Sequence, residues 1–93
     1  MFISCEDVKE LIANKNAQFV DVRTVPEFMS SQLPDAINIP LDQLEMVADE
    51  QLDKSKPVVV FCRSGARSGM AMQMLNSMGF MEVYNMGSFM SWR

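Results

Sequence analysis

The chain contains no histidine. That absence excludes histidine general bases, cysteine–histidine catalytic pairs and most zinc sites. Cysteine is scarce: there are two, at positions 5 and 62, a usage that suits a reducing compartment better than a disulfide scaffold. No apolar stretch is long enough to span a bilayer. The first residues, Met1-Phe2-Ile3-Ser4-Cys5-Glu6-Asp7, turn acidic at once and lack the basic and long apolar regions of a secretory signal. A cytoplasmic location is the expectation, although a leader already removed and replaced by Met1 would look the same. Positive charge is also in deficit, with 8 Lys and Arg against 12 Asp and Glu. A net charge of −4 argues against a nucleic-acid surface.

What remains is a composition of 48% hydrophobic and 22% charged residues, that of a soluble globular chain. Ninety-three residues suffice for one domain and are too few for two, so 1–93 is read as a single unit. Its most informative stretch is Val58-Val59-Val60-Phe61-Cys62-Arg63-Ser64-Gly65-Ala66-Arg67-Ser68. An apolar strand there runs into a cysteine, then a short polar loop with two arginines, then a helix-forming segment. A strand that turns sharply into a helix leaves loop amides and the first helical N–H groups without backbone partners, and they converge on whatever ends the strand. Amides, the positive end of the helix and guanidinium groups all favour a thiolate, and such settings bring a thiol from about 8.5 to roughly 3.5–7.5. Cys62 is therefore a candidate nucleophile, the alternative being a packed structural cysteine. Cys5 has no such surroundings and sits at the start of a predicted helix.

Around that loop the pattern alternates. A helix is predicted over about 5–13, with Ser4 and Asp7 in a capping arrangement and Val8, Leu11 and Ile12 at helical spacing; Asn14-Lys15-Asn16 breaks it. Strands are predicted at Gln18–Val22, Ala36–Ile39, Val58–Cys62 and Val83–Asn85. A helical turn opens at Pro26, a short helix carries Leu41, Leu44, Met46 and Val47, and a longer one spans Arg67–Met78 before Gly79. The long helix is expected to turn Met70, Ala71, Met74, Leu75 and Met78 to one face, with Met81, Met86 and Met90 clustered after it. Ten methionines fit flexible core filler, an adaptable partner surface or a soft-metal site, and the first reading is preferred. The segment from Gly87 to Trp92 is a turn into a short final helix. Strands alternating with helices imply an α/β sandwich around a parallel sheet, whose strand Val58–Cys62, apolar on both faces, is central.

Three blocks resemble the single-domain rhodanese sulfurtransferases: Asp21-Val22-Arg23 with Pro26-Glu27-Phe28; Leu33-Pro34 through Ala36-Ile37-Asn38-Ile39-Pro40; and Cys62-Arg63-Ser64-Gly65-Ala66-Arg67-Ser68. Gly87 and Trp92 fit the closing segment. Where the family has Gly-His before an Ile-Pro-Gly-Ala turn, this chain has Ser31-Gln32-Leu33-Pro34-Asp35-Ala36. The resemblance implies a rhodanese-like three-layer sandwich, a small parallel sheet with helices on both faces. It implies transfer of a sulfane sulfur from thiosulfate or a related anionic donor to a thiophilic acceptor, cyanide or a thiol, through a Cys62 persulfide, without metal or organic cofactor. The loop residues Arg63, Ser64, Gly65, Ala66, Arg67 and Ser68 would bind the donor. Arg67 is the first choice to grip its sulfonate, and Arg63 either helps or is a solvated surface residue. Asp21, Arg23 and Glu27 are supporting residues: Asp21 is expected to bond neighbouring backbone or an arginine, and Arg23 to line the pocket entrance or pair with Glu27.

Two other functions compete. Cysteine phosphatases and arsenate reductases use a similar cradle, but with five residues between cysteine and arginine. Here there are four, and the loop holds no acid to protonate a leaving alkoxide. The other is a persulfide carrier that receives sulfur from one protein and passes it to another. Neither nucleic acid nor a membrane is an expected partner.

Overall fold

The computed structural model describes residues 1–93. In chain order the elements are α1 (Cys5–Lys15), β1 (Gln18–Asp21), α2 (Val25–Ser30), β2 (Ile37–Asn38), α3 (Leu41–Gln51), β3 (Val58–Cys62), α4 (Ala66–Ser77) and β4 (Val83–Ser88), followed by a 3₁₀ turn over Phe89–Ser91. The four strands form one parallel sheet in the order β2-β1-β3-β4. This is the expected α/β sandwich with β3 central, and every β3 residue is buried.

Alternation along β3 divides the core in two. Val58, Val60 and Cys62 join Val20 and Val22 on one face, under Leu44 and Ala48 of α3 and Ala71 and Leu75 of α4. Val59 and Phe61 join Phe19 and Met86 on the other, covered by Val8 of α1 and by Phe89 and Trp92. Phe19 stacks obliquely between Phe61 and Trp92, with ring centroids 4.7 and 5.2 Å apart. Fully burying one such large side chain contributes about 1.5–3 kcal/mol, so the chain's few aromatics hold the α1 face together.

Local chemistry explains most element ends. Ser4 accepts from the Asp7 amide to start α1. Asn16, at φ 54°, ends that helix two residues later than expected, because asparagine tolerates the left-handed cap. Thr24 and Glu27 form a reciprocal capping box at α2, placing Pro26 second rather than first in that helix. The strand expected over Ala36–Ile39 shrinks to Ile37–Asn38, and Asp35 ahead of it takes a left-handed φ of 65° where the resemblance has glycine.

Two expectations about methionine fail. Met70 points to solvent, 58% exposed, and Ser68 takes its place on the buried face of α4. The face is set by burial of Ala71 and Leu75, and three residues before Ala71 lies Ser68, not Met70. Met81, Met86 and Met90 do not cluster: Met86 is buried in the α1-side core, while the other two are exposed. Met86 follows the alternation of β4, on the face of Tyr84, whereas Met81 precedes that strand and Met90 lies in the 3₁₀ turn after it. Val60 pairs with Asn85 and Phe61 with Gly87, so Met86 is also the extra residue of a bulge. No helix is long and apolar enough to cross a membrane.

Candidate active site

The C-terminal ends of the strands are where open α/β sheets bind ligands, and Cys62 closes the central strand there. Its side chain is 0% exposed at the floor of the loop that leads to α4. The Gly65 amide donates to Cys62 Sγ at 3.0 Å, and the Ser68 hydroxyl oxygen lies 3.4 Å from it. α1 and α2 begin on side-chain caps, whereas α4 has none: Gly65 occupies the cap position without a side-chain hydrogen bond. The thiol sits among the amides that a capping side chain would otherwise serve.

Burial pushes the pKa of this thiol up, and hydrogen bonding outweighs it. The Ser68 hydroxyl and the amides of Ser68, Gly65 and Ser64 bring Cys62 below the ordinary thiol value. What the arrangement offers is a nucleophilic sulfur whose negative charge is carried by fixed dipoles rather than by a neighbouring base.

Gly65 makes this geometry available. Its φ is +103°, and a Cβ there would come within 2.5 Å of the Phe2 ring and 3.3 Å of Gly87 Cα. A Cβ on Gly87 would likewise come within 2.6 Å of the Phe2 ring. The amino-terminal segment, tied to β4 by the Ile3 amide on the Asn85 carbonyl at 2.9 Å, thus lays Phe2 against the back of the loop.

The two loop arginines differ. Arg63 is exposed. Arg67, in the first turn of α4, forms a bidentate pair with Glu27 of α2, Nη1 to Oε1 at 2.7 Å and Nη2 to Oε2 at 3.1 Å. The Arg67 hydrogen bonds, with the Thr24 amide next, hold the Glu27 carboxyl down at about 2. The same pair raises Arg67 further above its ordinary value. Glu27 is therefore partnered across 40 residues rather than with Arg23. Arg23 is buried, forked onto the carboxylate of Asp21, donating from Nη2 to the Ser31 carbonyl and stacked 4.3 Å over Phe89. It lines no entrance. Asp21, wholly buried, finds its arginine two residues away and also accepts from the Arg23 amide.

One residue of this site was not singled out from the sequence. Asn85 in β4 accepts from the Ser68 hydroxyl at 2.7 Å and from the Gly87 amide at 2.8 Å, and donates to the Gly65 carbonyl at 3.3 Å. The available signal was a polar residue interrupting an apolar strand two places before a glycine, which is how bulges are written.

The same arrangement of sheet, loop and helix recurs in known proteins. The human single-domain sulfurtransferase TSTD1 superposes with a TM-score of 0.85 at 28% identity, covering 98% of this chain and 93% of that one. The thiosulfate sulfurtransferase GlpE of Coxiella burnetii is 32% identical over 92 residues, 98% of this chain and 85% of its own length. The uncharacterized protein YqhL of Bacillus subtilis is 40% identical over 79 residues, 84% of this chain, which spans 62% of YqhL. The pattern described as the rhodanese-like domain matches residues 4–93, from the Ser4 cap through the Cys62 loop to the final turn. With fold, loop and sequence in agreement, the chain belongs to the rhodanese family.

Proposed function

We propose that Cys62 transfers sulfane sulfur between a small anionic donor of the thiosulfate type and a thiophilic acceptor. The Cys62 thiolate attacks the outer sulfur of the donor, a new sulfur–sulfur bond forms, the old one breaks, and sulfite leaves with the bonding electron pair. Cys62 is left as a persulfide anion. Cyanide or a thiol then takes the outer sulfur and returns the thiolate. No proton relay is required, which agrees with a chain that has no histidine. The observation that carries this reading is the buried Sγ with the Gly65 amide 3.0 Å away at the start of α4.

Arg67 is the residue we assign to the sulfonate. A guanidinium has five N–H donors, and the pair with Glu27 uses two, which leaves three to receive an oxyanion without breaking the pair. The amides of Arg63 through Ser68 complete the cradle. Four residues between Cys62 and Arg67, one fewer than phosphoryl-transfer loops use, favour a sulfur atom over a phosphoryl group.

Intact mass after exposure to thiosulfate tests the proposal. A gain of one sulfur atom is expected, reversed by cyanide and absent in Cys62→Ser. A mass unchanged by thiosulfate and by other persulfide donors rejects it, and a gain from a protein-borne persulfide alone assigns the carrier role instead.

A further inference from the structure

The amide of Asn85 is oriented by its surroundings. Its Oδ1 accepts from the Gly87 backbone N–H and its Nδ2 donates to the Gly65 carbonyl, and neither partner could serve the opposite end. Ser68 Oγ lies 2.7 Å from that same Oδ1. A carboxamide oxygen carries no proton, so the one hydroxyl proton of Ser68 lies in this bond. The lone pairs of Ser68 Oγ are then what faces Cys62 Sγ at 3.4 Å, and the hydrogen bond across that gap runs from the thiol S–H to the serine oxygen. All three side chains are buried.

This is the network of a protonated cysteine: sulfur donates to Ser68, and Ser68 donates to Asn85. When the thiol loses its proton to solvent, an oxygen lone pair is left facing a negative sulfur. Turning the hydroxyl proton from Asn85 to sulfur replaces a neutral bond with a charge-assisted one, and Asn85 Oδ1 keeps the Gly87 amide throughout. We propose that Asn85 is a positioning residue that holds the Ser68 proton away from Cys62 in the thiol state and releases it when the thiolate or persulfide anion forms. The bulge at Met86 gives it this place, because it turns the Gly87 amide onto Asn85 Oδ1. The role rests on Cys62 being the reactive thiol. The charged groups nearest the site are Arg67 of α4, bound to Glu27 of α2; Arg63, exposed in the loop; and Asp21 of β1, matched by Arg23. None is hydrogen-bonded to Ser68 or Asn85, so their influence on the thiol bypasses the relay.

Alkylation of Cys62 by iodoacetamide as a function of pH, followed by mass at the Cys62 peptide, reports the thiolate directly. It needs no sulfur donor, so failure of the sulfur-transfer reading and failure of the relay are separate results. Ser68→Ala is expected to raise the midpoint by about one pH unit, a tenfold fall in the ionisation constant. Asn85→Ala is expected to lower the midpoint, with a several-fold rise in the ionisation constant, by leaving the Ser68 proton free for sulfur, and to have no effect in the Ser68→Ala background. An unchanged or lowered midpoint in Ser68→Ala overturns the proposal. So does an Asn85→Ala shift of equal size with and without Ser68. Where circular dichroism shows Asn85→Ala unfolded, Asn85→Asp replaces it: the stronger acceptor must raise the midpoint by more with Ser68 present than without, and equal shifts overturn the relay.

Discussion

Two guanidinium–carboxylate pairs stand near the C-terminal ends of the strands, alike in chemistry and different in depth. Asp21 and Arg23 are two residues apart and sealed, 0% and 3% exposed, with the guanidinium also on a carbonyl and an aromatic ring. Glu27 and Arg67 come from opposite ends of the site and keep 28% and 34% of their side-chain surface. A sealed pair is closed to water and to ligands, so it can support neighbouring strands but offers nothing to a donor. A half-exposed pair holds its arginine in place and leaves donors free. Depth, rather than residue type, separates scaffold from site.

The largest way to break this comparison is Asp21→Ala, which strands the Arg23 charge in the interior. A loss of about 3–5 kcal/mol is expected in urea unfolding, enough to unfold much of a small domain. A loss below about 1 kcal/mol would show that the buried pair is no scaffold. Arg67→Ala is expected to invert the pattern. Stability should change by less than about 1 kcal/mol, as for exposed pairs, while kcat/KM for thiosulfate falls about tenfold or more. Alkylation of Cys62 should persist, and full turnover with unchanged KM would remove Arg67 from donor binding.

Glu27→Gln is the finest probe. It keeps the arginine and releases its partner, so thiosulfate affinity should improve by a small factor while stability drops slightly. Its pH signature is distinct. Glu27 is held at about 2 from an ordinary 4.5, so its contribution to stability is complete above about 4.5 and disappears as the pH falls toward 2. Unfolding measured across that interval should show a slope in the parent that the variant lacks.

How much of this was legible depended on distance along the chain. The Cys62 loop could be found because strand, cysteine, glycine and helix are contiguous. The α1 start could be found because Ser4 and Asp7 lie three apart. The partner of Glu27 is not legible, since 40 residues separate it from Arg67 and Arg23 lies four residues away. The role of Asn85 is not legible in the sequence because its partners Ser68 and Gly65 lie 17 and 20 residues away. Met70 lies outside the buried face that Ser68, Ala71 and Leu75 define, and an alternation of methionine and small residues cannot fix that face by itself.

By itself, the sequence determined the alternation of strands and helices, the central apolar strand, the thiol at its end and the exclusion of histidine chemistry, because each follows from neighbouring residues and from composition. Tertiary structure alone decided which arginine meets which carboxylate, where Phe2 rests and how the single proton of Ser68 is shared between Asn85 and Cys62. Those are outcomes of packing among segments distant in the chain, where burial forces every donor to find an acceptor and the sequence carries no register for the match.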